Sequence, residues 1–319
     1  FMGKLKALLL TEGMHGMISQ VEGMAKALNA EYSHKIVRLR FPWNLIPPKF
    51  TPISQIVLKD KIYITENEIP DIIISCGRKS VIPSILLKRK NSNIFTIHIQ
   101  NPKVNSKNFD VVIAPQHDSQ YYGSNVYHSE GAIHYITYEE IQAAKNYLSS
   151  KIKSDKIVSI ILGGPNKYYS FSKEQLMEIF QSIKMCFIGK GYETIIVPSM
   201  RTPKNIIELA KKEMGKFGHV VDIIDKQAYL SAYALAKYVV VTCDSISMIS
   251  EAAASGKPIY VAQMKPKKNI YRFKKFFELF EYLGIIKSHI PAIPDKPWTY
   301  KKHNEAVKIA EELKNKIKK

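Results

Sequence analysis

Four loops in this chain carry residue types that bind phosphate or move a proton. The richest lies within residues 242–256, TCDSISMISEAAASG. Asp244 or Ser245 can cap the helix that follows by accepting its orphan amide hydrogens. Ser247 and Met248 fall in the opening turn. Glu251 lies seven residues after Asp244, about two turns on, so both carboxylates face the same way. A loop that leaves a strand's carboxyl end and enters a helix's amino end suits phosphorylated ligands. An acid further along can accept hydrogen bonds from ribose hydroxyls. The same stretch also reads as a plain capped helix with an exposed Glu.

Residues 163–166, GGPN, follow an apolar run. Gly163 and Gly164 would turn amide hydrogens outward, an arrangement suited to phosphate, with Asn166 beside them. A simple strand-end turn is the other reading. In PSMRTP, residues 198–203, Ser199 and Thr202 offer hydroxyls and Arg201 a fork matched to phosphate. Thr202 followed by Pro203 is also a good helix start, which needs no ligand. Near the amino end, TEGMHGMISQ at 11–20 holds Glu12, Gly13, His15, Gly16 and Gln20. Its glycines allow a tight turn, and His15 or Glu12 could act as general base. A surface loop with no role remains the alternative. QNPK at 100–103 and PQHD at 115–118 close two more apolar runs and add Gln100, His117 and Asp118 on the acceptor side.

Other chemistries lack their signatures. The dinucleotide fingerprint, the Walker loop and the nucleophile elbow are absent. No D-x-D occurs, which argues against a dedicated divalent-metal site for a nucleotide-sugar. Cys76, Cys186 and Cys243 are far apart and lack zinc-ligand spacing. They read as buried free thiols in a reducing cytosol. No metal and no cofactor is expected.

The apolar patterning supplies the scaffold. Strands are predicted at 5–11, 35–40, 71–76, 94–99 and 110–114, with helices at 20–30 and 81–90. A second set follows, with strands at 157–162, 194–198, 219–224, 238–242 and 259–262. Its helices are predicted at 173–188, 204–214, 227–235, 247–255 and 272–283. Alternating β-α units imply parallel sheets with right-handed crossovers. The expected class is therefore α/β: two Rossmann-like doubly wound domains, 1–150 and 151–319, facing a central cleft. The polar segment SSKIKSDK at 149–156 marks the boundary. A last amphipathic helix, 304–318, could pack back on the amino-terminal domain. Nothing approaches the ~18 apolar residues that span a bilayer, and the leading KLKALLL is too short for a signal peptide.

The formal net charge of +19 is uneven. Residues 1–150 hold 17 basic against 12 acidic side chains; residues 151–319 hold 30 against 16. Such a field favours anionic partners, although Lys far outnumbers Arg and would also suit ordinary solvated faces. Two stretches suit an anionic membrane surface: the aromatic, proline-rich FPWNLIPPKF at 41–50, and KPKKNIYRFKK at 265–275 followed by Phe276, Phe277 and Phe280. Helical spacing offers another place for those rings, the buried stripe of a helix. No nucleic-acid reader motif is present.

Taken in order, EGMHG, ISCGR at 74–78, IHIQNPK at 97–103, FDVVIAPQHD at 109–118, GSNVYHSEGAIH at 123–134, ILGGPNK at 161–167, PSMRTP and TCDSISMISEAAASGKPIYV span nearly the whole chain. Together they resemble bacterial relatives of the plant mitochondrial-fission proteins of the elongate-mitochondria type. That family is similar in turn to glycosyltransferases of the GT-B fold, including the enzyme that adds N-acetylglucosamine to a lipid-linked peptidoglycan precursor. The resemblance implies that the second domain holds a nucleotide-diphosphate sugar, a UDP-sugar by analogy. Glu251 would then bind the ribose, and the first glycine loop would serve the acceptor. It implies metal-independent transfer to a lipid-linked or cell-envelope acceptor, by a cytoplasmic protein peripheral to the inner face of the membrane. A catalytically silent module that binds a membrane surface or a protein partner is the alternative.

Overall fold

In a computed structural model, described for residues 4–65, 68–118 and 121–317, parallel strands alternate with helices from end to end. The first set comprises β1 (Lys6–Thr11), α1 (His15–Ala27), β2 (Glu31–Ile36), β3 (Ile72–Cys76), α2 (Val81–Lys90), β4 (Phe95–Ile99), β5 (Val111–Pro115) and β6 (Val126–Ser129). The second comprises α3 (Tyr138–Ala143), β7 (Ile157–Leu162), α4 (Lys173–Cys186), β8 (Glu193–Pro198), α5 (Lys204–Met214), β9 (Gly218–Val220), α6 (Lys226–Leu235), β10 (Tyr238–Thr242), α7 (Ile246–Ala253), β11 (Ile259–Ala262), α8 (Tyr271–Tyr282) and β12 (Ile286–Lys287). Helix α9 (Glu305–Ile317) ends the described chain.

Two six-stranded sheets result, ordered β2-β1-β3-β4-β5-β6 and β12-β11-β10-β7-β8-β9. Every pairing within them is parallel. Central strands such as β3, IIISC, and β7, IVSIIL, are buried along their whole length. This is the expected consequence of helices covering both faces of a parallel sheet. The winding reverses between β1 and β3 in the first sheet and between β7 and β10 in the second. At such switch points the two loops diverge and leave a crevice outside the carboxyl strand ends.

Two compact units divide the chain between Tyr135 and Ile136, and again between His303 and Asn304. The expected boundary at 149–156 is therefore too late. The polar signal there is real, but α3 already packs on α6 of the second unit, and Leu148 donates its amide to Ser231 Oγ at 3.0 Å. The last helix belongs to the first unit. Ala306, Ile309, Ala310 and Leu313 of α9 are buried with Val21 and Met24 of α1 against Leu9, Ile74 and Ile113. Lys318, the expected last residue of that helix, lies outside the described residues.

Some elements differ from their sequence pattern. Strand β2 covers Glu31–Ile36 rather than 35–40. All six of its residues are exposed on a sheet edge, so EYSHKI carries no apolar alternation. The apolar signal came from Val37 and Leu39, which pack beyond the strand against Val57 and Leu58. Helix α1 begins at His15, five residues earlier than its pattern suggested, and no side-chain cap at Met14 marks that start. Asn29, with φ 54°, then turns the chain out of it. The short strands β6 and β12 fell below the pattern's reach. All three cysteines are free and buried. No helix among the described residues is long and apolar enough to cross a membrane.

Two glycines of α1 separate packing from conformational need. A Cβ on Gly23 would stand 2.2 Å from the His134 carbonyl oxygen, whereas one on Gly16 would meet nothing within 4 Å. Gly23→Ala should therefore lower the unfolding free energy by about 2 kcal/mol through overpacking. Gly16→Ala should raise it by a few tenths to about 1 kcal/mol. Urea titrations of both variants check this; equal effects would contradict the packing account.

Candidate functional site

The second sheet's switch point gathers most of the residues singled out from the sequence. Gly163 and Gly164 directly follow β7, Asp244 lies two residues beyond β10, and the β8 loop supplies Ser199, Arg201 and Thr202. Asp244 is the centre. Its side chain is fully buried. It accepts from Thr242 Oγ1 at 2.6 Å, from the Gly164 amide at 3.0 Å and from Arg201 Nη2 at 2.9 Å. The Gly163 amide in turn donates to Thr242 Oγ1 at 2.8 Å, and Arg201 Nη1 to the Gly164 carbonyl at 2.8 Å. Burial pushes the Asp244 carboxyl up; the Arg201 charge and the surrounding donors pull against it.

This geometry corrects several expectations. The amides of Gly163 and Gly164 do not face a ligand, because Thr242 and Asp244 already hold them. The glycines serve close approach. A Cβ on Gly163 would lie 2.1 Å from Asp244 Oδ2, and one on Gly164 2.1 Å from the Arg201 carbonyl oxygen. Asn166 is likewise engaged. Its Nδ2 donates to the Asp244 carbonyl at 3.0 Å, and its Oδ1 accepts from the Tyr168 and Tyr169 amides at 2.8 and 3.0 Å. Asp244 caps no helix; Ser245 does, accepting from the Met248 amide at 3.3 Å. Thr202 caps none either. Helix α5 starts after Pro203 with no side-chain cap. The Thr202 hydroxyl instead accepts from the Ser199 amide at 2.9 Å and reaches the Leu162 and Gly163 carbonyls.

Above this knot lies a pocket of about 320 Å³, lined by Asn166, Lys167, Tyr168, Arg201, Asp244, Ser245, Ile246, Ser247, Arg272 and Phe273. Two of the five Arg201 donors are taken, which leaves others for a ligand. Three cations thus stand over one buried carboxylate. Lys167, Tyr168 and Arg272 were not anticipated here. Arg272 was visible only as part of the basic run 265–275. Its neighbours Phe273, Phe276, Phe277 and Phe280 are buried on one stripe of α8, so these rings are not lipid-facing.

Glu251 does not line that pocket. It lies in the last turn of α7, about 8 Å further along by helical rise. It is partly buried and accepts from the Tyr229 hydroxyl at 2.6 Å, which accepts from Tyr233 at 2.7 Å. Burial pushes its carboxyl up to about 7, while the Tyr229 hydrogen bond pulls it down. The same burial raises both tyrosines well above their ordinary range. The spacing of Tyr229 and Tyr233, four apart on α6, is the sequence signal that would have found this chain.

In the first unit the β1 and β3 loops are also tied. Glu12 pairs with Lys79 Nζ at 3.0 Å, so it is not an unengaged base. Gly13 turns the chain at φ 87°, but Gly16 is ordinary helix in open space and makes no tight turn. His15, first residue of α1, is exposed, its ring edge-on to Tyr135 at 6.5 Å. Gln20 Nε2 donates back to the Gly16 carbonyl at 3.1 Å. Gln100 adopts φ 84°, and its backbone N–H donates to the Ile113 carbonyl at 2.8 Å. His117 is buried, 3.8 Å from Asp118.

A family model described as mitochondrial fission ELM1 matches residues 15–317. The chain belongs to that family. The uncharacterized protein RP120 of Rickettsia prowazekii is 27% identical, covering 92% of this chain and 94% of its own length. The mitochondrial fission protein ELM1 of Arabidopsis thaliana is 24% identical over 79% of this chain and 65% of its own. Among solved structures, UDP-GlcNAc 2-epimerase from Neisseria meningitidis, bound to UDP-GlcNAc, superimposes with a TM-score of 0.53. It is 12% identical, over 90% of this chain and 88% of that one. At that identity the likeness concerns the fold, and it supports two Rossmann-like domains of the GT-B kind for this ELM1-family chain.

Two outcomes follow from the site. Asp244→Ala should destabilise the protein by about 2 kcal/mol in chemical denaturation. Removing one member of a buried pair costs about 3–5 kcal/mol, less here because water can reach the Arg201 left behind; a change near zero would contradict the knot. Glu251 holds its proton more tightly folded than unfolded. Its stabilising contribution is full below its ordinary pKa of 4.5 and is lost as pH rises through about 7. Glu251→Gln should flatten the fall of Tm over that window, and an unchanged slope would place the carboxyl elsewhere.

Proposed function

We propose that the second unit binds a nucleotide-diphosphate sugar, with UDP-sugars the first to try, and that the protein transfers the sugar. One observation carries this reading: a cationic pocket opens at the β7–β10 switch point onto the amino end of α7. Lys167, Arg201 and Arg272 supply charge, Ser247 a hydroxyl, and the first α7 amides the helix's positive end. Glu251 keeps one oxygen without a hydrogen bond from the described residues, and a ribose hydroxyl could donate to it. The neighbouring epimerase fold, which carries UDP-GlcNAc in its own structure, supports the choice of ligand.

As transfer proceeds, charge grows on the leaving diphosphate. Donors already fixed around it need no rearrangement to stabilise that charge. The Asp244 knot fixes Arg201 in this way. His15, exposed on α1 at the first sheet's switch point, is the first unit's candidate base. An envelope or lipid-linked glycan is the proposed acceptor. A second reading, binding without transfer, draws on the ion pair that holds Glu12.

Calorimetric titration with UDP, 2′-deoxy-UDP and UDP-sugars tests the donor site. Arg272→Ala and Ser247→Ala should each weaken UDP binding, the former by about tenfold, as expected for one charge-assisted hydrogen bond. Wild type should prefer UDP to its 2′-deoxy analogue, and Glu251→Gln should erase that preference. Absence of binding at millimolar ligand would remove the proposal. Binding without turnover in the presence of membrane extracts would favour the second reading.

A further inference from the structure

A second cavity plays no part in the donor site. It lies in the first unit and has a volume of about 540 Å³. Ile53, Ile82, Ile85, Pro48 and Val104 give it an apolar floor. Lys49, Arg89 and Lys103 stand on its rim, all exposed. No acidic residue lines it, and none of the three cations forms an ion pair among the described residues. An unpaired cationic ring over a greasy floor matches the two ends of an anionic amphiphile.

The walls are held before any ligand arrives. Arg78 Nη1 donates to the Ile46 carbonyl at 3.0 Å, and Nη2 donates to that of Asn44. Thr51 Oγ1 donates to the Pro47 carbonyl at 3.1 Å. On the opposite wall Tyr121 donates to the Val104 carbonyl at 2.6 Å, and Asn101 Oδ1 accepts from the Lys103 amide at 2.9 Å. The wall formed by 41–50 also carries Phe41, Leu45 and Phe50, exposed by 78, 70 and 69%. Large apolar side chains this exposed on one short loop mark an interaction surface. Lys49 Nζ lies 5.7 Å from the Phe50 ring, so charge and apolar surface are adjacent.

We propose that this pocket docks the anionic headgroups of a phospholipid membrane, with Phe41, Leu45 and Phe50 entering the interfacial layer. Charge complementarity selects the occupant: three cations without acids suit a phosphate-bearing surface. The isoleucine floor and the exposed rings favour a lipid over a nucleic acid, whose backbone would gain nothing from them. Of the two stretches suited to a membrane surface, the proposal keeps 41–50 in the first unit and drops 265–275, whose following rings are buried on α8.

Co-sedimentation with vesicles of phosphatidylcholine alone, and with about one-third phosphatidylglycerol, tests it. The triple variant Lys49→Glu, Arg89→Glu, Lys103→Glu is compared with a control of equal charge change, Lys265→Glu, Lys267→Glu, Lys268→Glu. Matched melting curves would show that both fold. Wild type should favour anionic vesicles by at least about tenfold. The pocket triple should lose that preference, the control should stay within about twofold, and Phe50→Ser should weaken what binding survives high salt. Equal losses in the two triples would reduce the effect to net charge and overturn the site. So would release by millimolar inorganic phosphate at constant ionic strength, which would identify a soluble anion as the occupant.

Discussion

The second unit depends on one buried charge. Asp244 sits at the carboxyl end of β10 with no side-chain exposure, and a bare carboxylate there would be prohibitively costly. Its survival requires donors at every side. Thr242, Gly164 and Arg201 provide them, and each comes from a different place in the chain. The carboxylate therefore fixes the relative positions of the β7, β8 and β10 loops. Thr242 shows how tightly the set is coupled. It donates a hydrogen bond to Asp244 and accepts one from the Gly163 amide, so one hydroxyl links the carboxylate to a further backbone donor.

The glycines follow from that constraint. Gly163 and Gly164 are needed because Asp244 and Arg201 press against the β7 loop, not because the loop must wrap a phosphate. Donors locked into an internal knot cannot also serve a ligand. The knot instead supports the groups that face outward: the unused Arg201 donors, Ser247 and the amino end of α7. A floor built from satisfied polar groups keeps its shape whether or not the pocket is filled, which is the condition for preorganised recognition.

Much of this was legible in the sequence. Val239–Val241 and the β7 run announce buried parallel strands because both faces are covered, and the loops that follow them converge as two switch-point loops must. The roles of individual polar atoms were not legible. A loop containing Gly163, Gly164 and Asn166 reads the same whether its donors face solvent or a neighbouring carboxylate, and only the third dimension tells which. Arg272 was hidden by its company. Within a run of lysines it read as part of a contact with an anionic membrane surface, although α8 turns it toward the pocket. The exposed strand β2 lacked the one signal that sequence patterns use, a buried face.

The first unit meets the same topological problem with a softer device. At its switch point Glu12 from the β1 loop pairs with Lys79 beyond β3, and both remain partly exposed. Gly77, at φ 90°, keeps clear the space that Met17 and Glu12 occupy. Water can compete for such a pair, so it holds the two loops less firmly than a buried carboxylate does. The contrast has a functional consequence. A rigid floor suits a ligand of fixed geometry, such as a nucleotide diphosphate. A loosely held loop pair can change shape more readily, and on the proposed reading the exposed His15 of the same unit would meet an acceptor there. On this ground the second unit is the stronger candidate for invariant recognition, and the first for whatever varies.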